Sequence, residues 1–301
     1  MKILVAGAEG QLGQELVRSL APYGTIHALG RHKLDICNPL NVDAVFGEIR
    51  PDLVFNAAAY TAVDLAETEI SKSWSINADG PRNLGLVAKK FDTTVIHFST
   101  SYVFDGDLDR PYRESDPAAA INVYGASKLA GEDALMACGC RTLIFRISWL
   151  YAYHGNSFLT RIMQLATERE SLSMVTDQVG SPNSAKVSAD GMADLLSKHG
   201  DLRQISEQAK LPIYNLAVEG FASRHDLTVA IIENMQIAGM KVKTREVGKI
   251  MTKDFPTPAK RPLNSRFDTT RSKADLDIVL PTWRDALDQA MQDGMRRGQQ
   301  T

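Results

Sequence analysis

The opening stretch constrains the fold more than any other part of the chain. A strand predicted over Lys2–Ala6 carries the unbroken apolar run Ile3-Leu4-Val5-Ala6. Such a run marks a parallel strand buried on both faces. It leads into Gly7-Ala8-Glu9-Gly10-Gln11-Leu12-Gly13 and then a helix through Leu16, Val17 and Leu20 that stops before Pro22. A tight glycine turn between a first strand and an amphipathic helix lets backbone N–H groups and the helix N-terminus approach a pyrophosphate. Gly7, Gly10, Gln11, Leu12 and Gly13 are therefore candidate contacts to a dinucleotide.

The alternation continues. A second strand is expected at Ile26–Leu29, and the residues after it bear on cofactor choice. A site selective for NAD places a carboxylate there for the ribose 2′-hydroxyl. Here the turn is Gly30-Arg31-His32-Lys33, with Asp35 only later. Arg31 can stack on adenine and pair with a 2′-phosphate. NADPH is the expected cofactor, with NADH as the second one the site admits. A helix across Val42–Ile49 precedes a third buried strand, Leu53-Val54-Phe55-Asn56. It ends in Ala57-Ala58-Ala59, small residues that let a cofactor lie against the backbone. Further strands follow at Val95–Thr100 and Thr142–Arg146, separated by helices over Pro81–Lys90 and from Tyr124 onward. This rhythm predicts an α/β fold, a doubly wound parallel sheet of Rossmann type.

The chemistry is expected where the fourth strand ends. Val95-Ile96-His97-Phe98 terminates in two hydroxyls, Ser99 and Thr100, and Tyr124-Gly-Ala-Ser-Lys128 puts a phenol and an amine on one helix face. Together these groups can reduce a carbonyl. Thr100 holds the carbonyl in line for hydride, Tyr124 donates a proton to its oxygen, and the Lys128 cation favours the tyrosinate that remains. Asn77, in a helix further upstream, is open to a structural or a chemical role.

After Trp149 the texture changes. A loop over Tyr151–Asn156, a helix over Phe158–Glu168, a turn-rich Asp177–Pro182 and a helix over Asp190–Lys198 precede a strand at Pro212–Leu216. That strand is a candidate for the last of the main sheet. Thr252–Arg266 holds Pro256, Pro258 and Pro262 with Lys260, Arg261 and Arg266, so it is neither long helix nor central strand. A helix near Trp283–Met295 and a polar tail close the chain. The expected division is residues 1–150 with about 188–218 for the dinucleotide, and about 151–187 with 219–301 as a smaller, interleaved α/β substrate domain.

At 301 residues, 23% charged and with a formal net charge of -2, the chain has no basic surplus for nucleic acid or an anionic membrane. Cys37, Cys138 and Cys140 form no disulfide framework and no zinc site. No signal-peptide core or membrane-spanning run is present, which places the expected site of action in the cytoplasm.

Several blocks together resemble a known family. The glycine motif, Asn56-Ala57-Ala58-Ala59, Ser99-Thr100 and Tyr124-x-x-x-Lys128 are similar to extended short-chain dehydrogenase/reductases. Tyr60-Thr61-Ala62-Val63-Asp64-x-Ala66-Glu67, Tyr102-Val103-Phe104-Asp105-Gly106, Arg146-x-Ser148-Trp149 and Pro256-Thr257-Pro258-Ala259-x-Arg261-Pro262 resemble, more narrowly, the dTDP-4-dehydrorhamnose reductases. The resemblance implies reduction of the C4 ketone of dTDP-4-dehydro-β-L-rhamnose with NAD(P)H, the last step of dTDP-L-rhamnose synthesis. It assigns Thr100, Ser101, Tyr102, Trp149 and Arg261 to the nucleotide-sugar substrate and gives Lys128 a contact to the nicotinamide ribose. A homodimer and Mg²⁺ are implied by resemblance alone, since no cluster of metal-ligating side chains calls for the metal. Two positions depart from the pattern: Ser101 stands where an Asp is usual and Asn183 where a Thr is usual. Ser101 supports a second reading, a reductase of a different 4-keto nucleotide sugar. Because the resembling fold also includes non-catalytic members, a third is a catalytically silent, dinucleotide-binding regulatory subunit.

Overall fold

In the computed structural model, which describes residues 1–298, eleven strands are formed: β1 Lys2–Ala6, β2 Thr25–Leu29, β3 Leu53–Asn56, β4 Thr94–Thr100, β5 Thr142–Ile147, β6 Ser171–Val175, β7 Val179–Gly180, β8 Ile213–Leu216, β9 Ala222–Ser223, β10 Glu246–Ile250 and β11 Asn264–Ser265. Six of them make one sheet in the order β2-β1-β3-β4-β5-β8, with every pairing parallel. This is the doubly wound, Rossmann-like sheet expected from the sequence, and the Pro212–Leu216 segment supplies its last strand. The strand order reverses between β1 and β3, so ligands are expected in the crevice beyond their carboxyl ends.

The two faces of the sheet follow from the pleat, which sends successive side chains to opposite sides. Ile3 and Val5 of β1 pack with Leu12 and Leu16 of the Gln11–Leu20 helix and Met192 and Leu195 of the Ala185–His199 helix. Leu4 and Ala6 face the other way, onto Val42 and Phe46 of the Pro39–Ile49 helix, Leu84 of the Gly80–Phe91 helix and Leu135 of the Val123–Cys138 helix. Burial on both faces is why β1 and β3 read as near-continuous apolar runs and why β4 carries Val95, Ile96 and Phe98 around the buried His97.

A second body lies beyond the sheet. Leu159, Leu172, Leu227, Ile231 and Met291 form their own core, bringing together the Phe158–Glu168, Arg224–Ile237 and Trp283–Gly298 helices and β6. β6 pairs with β10, and β7 lies between β11 and β9. The proline-rich Thr252–Arg266 segment contributes a single short turn and the two-residue edge strand β11, as its prolines require. The polar tail beyond residue 298 lies outside the described residues.

Candidate active site

The turn after β1 is held by a close approach. Gly7 has φ +73, and a Cβ there would sit 2.6 Å from the Ala58 backbone nitrogen. This tight contact aligns the glycine turn with the Ala57-Ala58-Ala59 segment that leaves β3. Gly10 caps the Gln11–Leu20 helix without a side-chain hydrogen bond, and no acidic residue stands in its first turn. The N–H groups at that helix end therefore point outward with their partial positive charge uncompensated.

β4 is buried along its whole length and delivers Thr100 at its carboxyl end. The Thr100 hydroxyl accepts from the Tyr102 backbone N–H at 3.2 Å, which starts the short turn over Ser101–Val103. The helix that carries Tyr124 and Lys128 begins at Asn122, whose side chain accepts from Gly125 N at 2.7 Å and donates to Lys260 O at 2.9 Å. Gly125 is required by packing, because a Cβ there would come within 2.0 Å of the Tyr102 carbonyl oxygen. The helix start is thereby pressed against the turn after β4. One turn on, Ser127 meets Ser73 and Asn77, and Asn77 also bonds the Tyr60 backbone at both its N–H and its carbonyl. Those bonds occupy the Asn77 amide and settle its role as structural.

Thr100, Tyr124 and Lys128 share one wall of a cleft of about 320 Å³ that also meets Gly10 and Leu12 after β1 and Ala57 after β3. Loss of water around the Tyr124 phenol pushes its pKa up to about 12, a shift opposed by the neighbouring Thr100 hydroxyl. Lys128 is 2% exposed and donates to the Phe98 carbonyl at 2.7 Å. Its burial lowers its pKa to about 8, with the nearby Glu132 carboxylate pulling the other way. The lysine was expected to bring the phenol down; on the protein alone, desolvation of both groups wins. Glu132 is itself fully buried and paired with Arg146 of β5, Nε to Oε1 at 2.9 Å and Nη2 to Oε2 at 2.6 Å.

A second cleft of about 600 Å³ adjoins the first and shares Tyr102, Trp149 and Arg224 with it. Arg261 lines this second cleft and is held by Asp64, Nη2 to Oδ2 at 2.8 Å, while its Nη1 is buried without a partner. Asp64 also accepts from Ala259 N, so the proline-rich segment is docked onto the chain that follows β3. Arg224 was not anticipated. Its guanidinium lies 3.7 Å from the Trp149 ring centroid, in a setting whose desolvation weakens its hold on the proton. The signal that could have found it is the capping box Ser223-x-x-Asp226, which marks a helix start there.

Other anticipated residues lie elsewhere. Ser101 is 1% exposed, faces neither cleft, and its hydroxyl has no partner. The chain leaves β4 at Thr100 and enters the Ser101–Val103 turn, and this turn carries Ser101 into the interior. Asn183 is fully buried, donates to Ser148 O at 2.9 Å and accepts from Val218 N at 2.9 Å, tying loops together away from both clefts. Both departures from the family pattern are thus interior. Arg31 is exposed beside the end of β2, and Asp35 accepts from Cys37 N at 3.0 Å within its own turn. A carboxylate does stand at that end of the sheet, supplied by Glu9: a Cβ on Gly30 would lie 2.3 Å from its carboxyl carbon.

The sequence pattern of the family described as RmlD substrate binding domain matches residues 1–296. The chain belongs to that family. It is 39% identical over 287 residues to the dTDP-4-dehydrorhamnose reductase of Shigella flexneri, covering 94% of each chain. It is 38% identical over 296 residues to that of Burkholderia thailandensis, covering 97% of this chain and 99% of the other. Among solved structures, dTDP-4-dehydrorhamnose reductase from Bacillus anthracis in complex with NADP superposes with a TM-score of 0.86 at 33% identity, over 97% of this chain and 99% of that one. Among the described residues no helix is long and apolar enough to cross a membrane, and no group of three or more His, Cys, Asp or Glu side chains could hold a metal ion.

Proposed function

We propose that this protein reduces the C4 ketone of dTDP-4-dehydro-β-L-rhamnose to dTDP-β-L-rhamnose with NAD(P)H, the last step of dTDP-L-rhamnose synthesis. The observation that carries the reading is the wall formed by Thr100, Tyr124 and Lys128, facing the glycine turn on one side and opening past Trp149 into the larger cleft on the other. The reductases at 38–39% identity and the NADP complex of the Bacillus anthracis protein support it.

The protein fits a dinucleotide. The uncapped helix end at Gly10 suits a pyrophosphate, and the alanines after β3 leave room for a ring system against the backbone. When bound, the nicotinamide supplies the hydride. The Thr100 hydroxyl then orients the ketone oxygen, and Tyr124 passes its phenolic proton to that oxygen. Lys128 in its charged form stabilises the phenolate left behind. Trp149, Tyr102, Arg224 and Arg261 form the substrate side, and the two guanidiniums suit a nucleoside diphosphate. In this reading residues 1–150 with about 188–218 serve the cofactor, and the rest serves the nucleotide sugar.

NADPH is preferred over NADH because Arg31, with Lys33 beside it, follows β2. The margin is modest, since these cations are exposed and Glu9 opposes them. The homodimer rests on the family resemblance alone. A cytoplasmic location is supported by the three free cysteines, which form no disulfide. The test is NADPH consumption with dTDP-4-dehydrorhamnose against a panel of 4-keto sugars on other nucleotides. Highest kcat/KM for the dTDP-linked precursor is expected, and a different sugar leading the panel would overturn the assignment. No oxidation with any keto sugar, despite cofactor binding, would favour the silent subunit.

A further inference from the structure

His97 is completely buried in the middle of β4, and the reaction as described makes no use of it. Its surroundings determine where its proton sits. On β3, its register partner Asn56 accepts at Oδ1 from the Ala58 backbone N–H at 3.2 Å. A backbone N–H can only donate, so this contact fixes the amide orientation. The other end of the amide, Nδ2, therefore points its hydrogen at His97 Nδ1, 3.0 Å away. Nδ1 must be the acceptor, and the imidazole is neutral with its single proton on Nε2. Burial keeps it neutral by holding His97 well below the ordinary histidine range, and whenever Lys128 is protonated its charge acts in the same direction.

Nε2 lies 3.3 Å from Lys128 Nζ. An ammonium there would oppose donor to donor, whereas a neutral amine accepts from Nε2–H and still donates to the Phe98 carbonyl. We propose that Asn56 and His97 are positioning residues that weaken the proton affinity of Lys128 by presenting a fixed imidazole N–H to its Nζ. The lysine is thereby poised to change charge near neutral pH instead of standing as a permanent cation. The other groups around it are few. Tyr124 and Glu132 stand on its own helix, Glu132 engages Arg146 from β5, Thr100 closes the wall from β4, and β3 offers only the uncharged Asn56 amide. Glu132 favours the ammonium and burial opposes it; the His97 N–H, 3.3 Å from Nζ, adds to the opposing side by its geometry.

The catalytic consequence rests on the reductase reading, but the electrostatic claim does not, and the experiment separates them. In ligand-free protein labelled with [¹³C]lysine, the Lys128 side-chain resonance is assigned by its loss in Lys128→Met and titrated with pH. It should titrate below the ordinary lysine range. His97→Gln can turn a carbonyl toward Nζ, and should raise the midpoint by about one pH unit. Asn56→Asp keeps the Ala58 contact and forces the His97 proton onto Nδ1, which also raises it. Imidazole ¹⁵N shifts of the unmutated protein should report the Nε2–H form, so the inference is testable even where a variant does not fold. In turnover, the alkaline limb of kcat should move with the lysine midpoint. An Nδ1–H tautomer, or midpoints that stay put while thermal stability falls, would reduce His97 to a packing residue. A midpoint that moves in protein inactive on every keto sugar would uphold this inference and sink the reductase reading.

Discussion

Replacing Arg146 by Met should destabilise the protein through one identifiable group. Glu132 is fully buried, and both of its oxygens are held by the Arg146 guanidinium. Met keeps most of the aliphatic stem and removes the guanidinium, which lies 5.0 Å from the Phe104 ring centroid. The carboxylate is then buried without a counterion, which costs about 3–5 kcal/mol. Each kcal/mol shifts the melting temperature of a large domain by about 2 °C, so Tm should fall by about 6–10 °C. Replacing both partners, Glu132→Leu with Arg146→Met, removes the stranded charge and should restore stability to within about 1–2 kcal/mol of the parent. The pair also anchors the helix of Tyr124 and Lys128 to β5, so the single variant should lose turnover more steeply on warming than the double. Thermal unfolding of the four proteins, closed as a double-mutant cycle, is the assay. A single variant that melts with the parent, or a double variant as unstable as the single, would refute the argument.

Three further outcomes are expected. Tyr124→Phe keeps the ring edge against Tyr102 and removes the transferable proton, so kcat should fall by about 10²–10⁴-fold with NADPH affinity retained; near-normal turnover would remove the phenol from the mechanism. Arg31→Ala should weaken NADPH and spare NADH, while Glu9→Gln should widen the preference for NADPH, both read as ratios of kcat/KM; equal effects on the two cofactors would show that neither side chain senses the 2′-phosphate. Lys128 titrates at about 8 in the fold against the ordinary 10.5, so between those values the unfolded chain binds more protons. Its contribution to stability is therefore full above 10.5, lost as pH falls to about 8, and worth up to about 3 kcal/mol. Melts in that window should show the parent gaining on Lys128→Met as pH rises, and parallel curves would contradict the shift.

What the sequence determined was local and periodic. The apolar runs of β1 and β3 are buried on both faces, so composition identifies them as central parallel strands, and the glycine turn marks the end where ligands are expected. Thr100, Tyr124 and Lys128 were legible for the same reason: one sits at a strand end, and the others stand one helical turn apart. The Arg224–Ile237 helix was not, because the polar His225 and Thr228 stand on its buried side while Ile237 is exposed, which blurs the helical period of its apolar residues. β6 and β10 escaped notice because each is half exposed and finds its partner some seventy-five residues away. Side-chain direction belonged to the tertiary structure as well. Ser101 and Asn183 are positions of departure in the sequence, yet packing turns both inward, and Glu9 reaches the end of β2 from a different loop. The protonation of Lys128 was likewise decided in three dimensions. Sequence spacing put a cation beside a phenol, but only the fold brings Asn56 and His97 across two strands to it, in a site dry enough for a single N–H to matter.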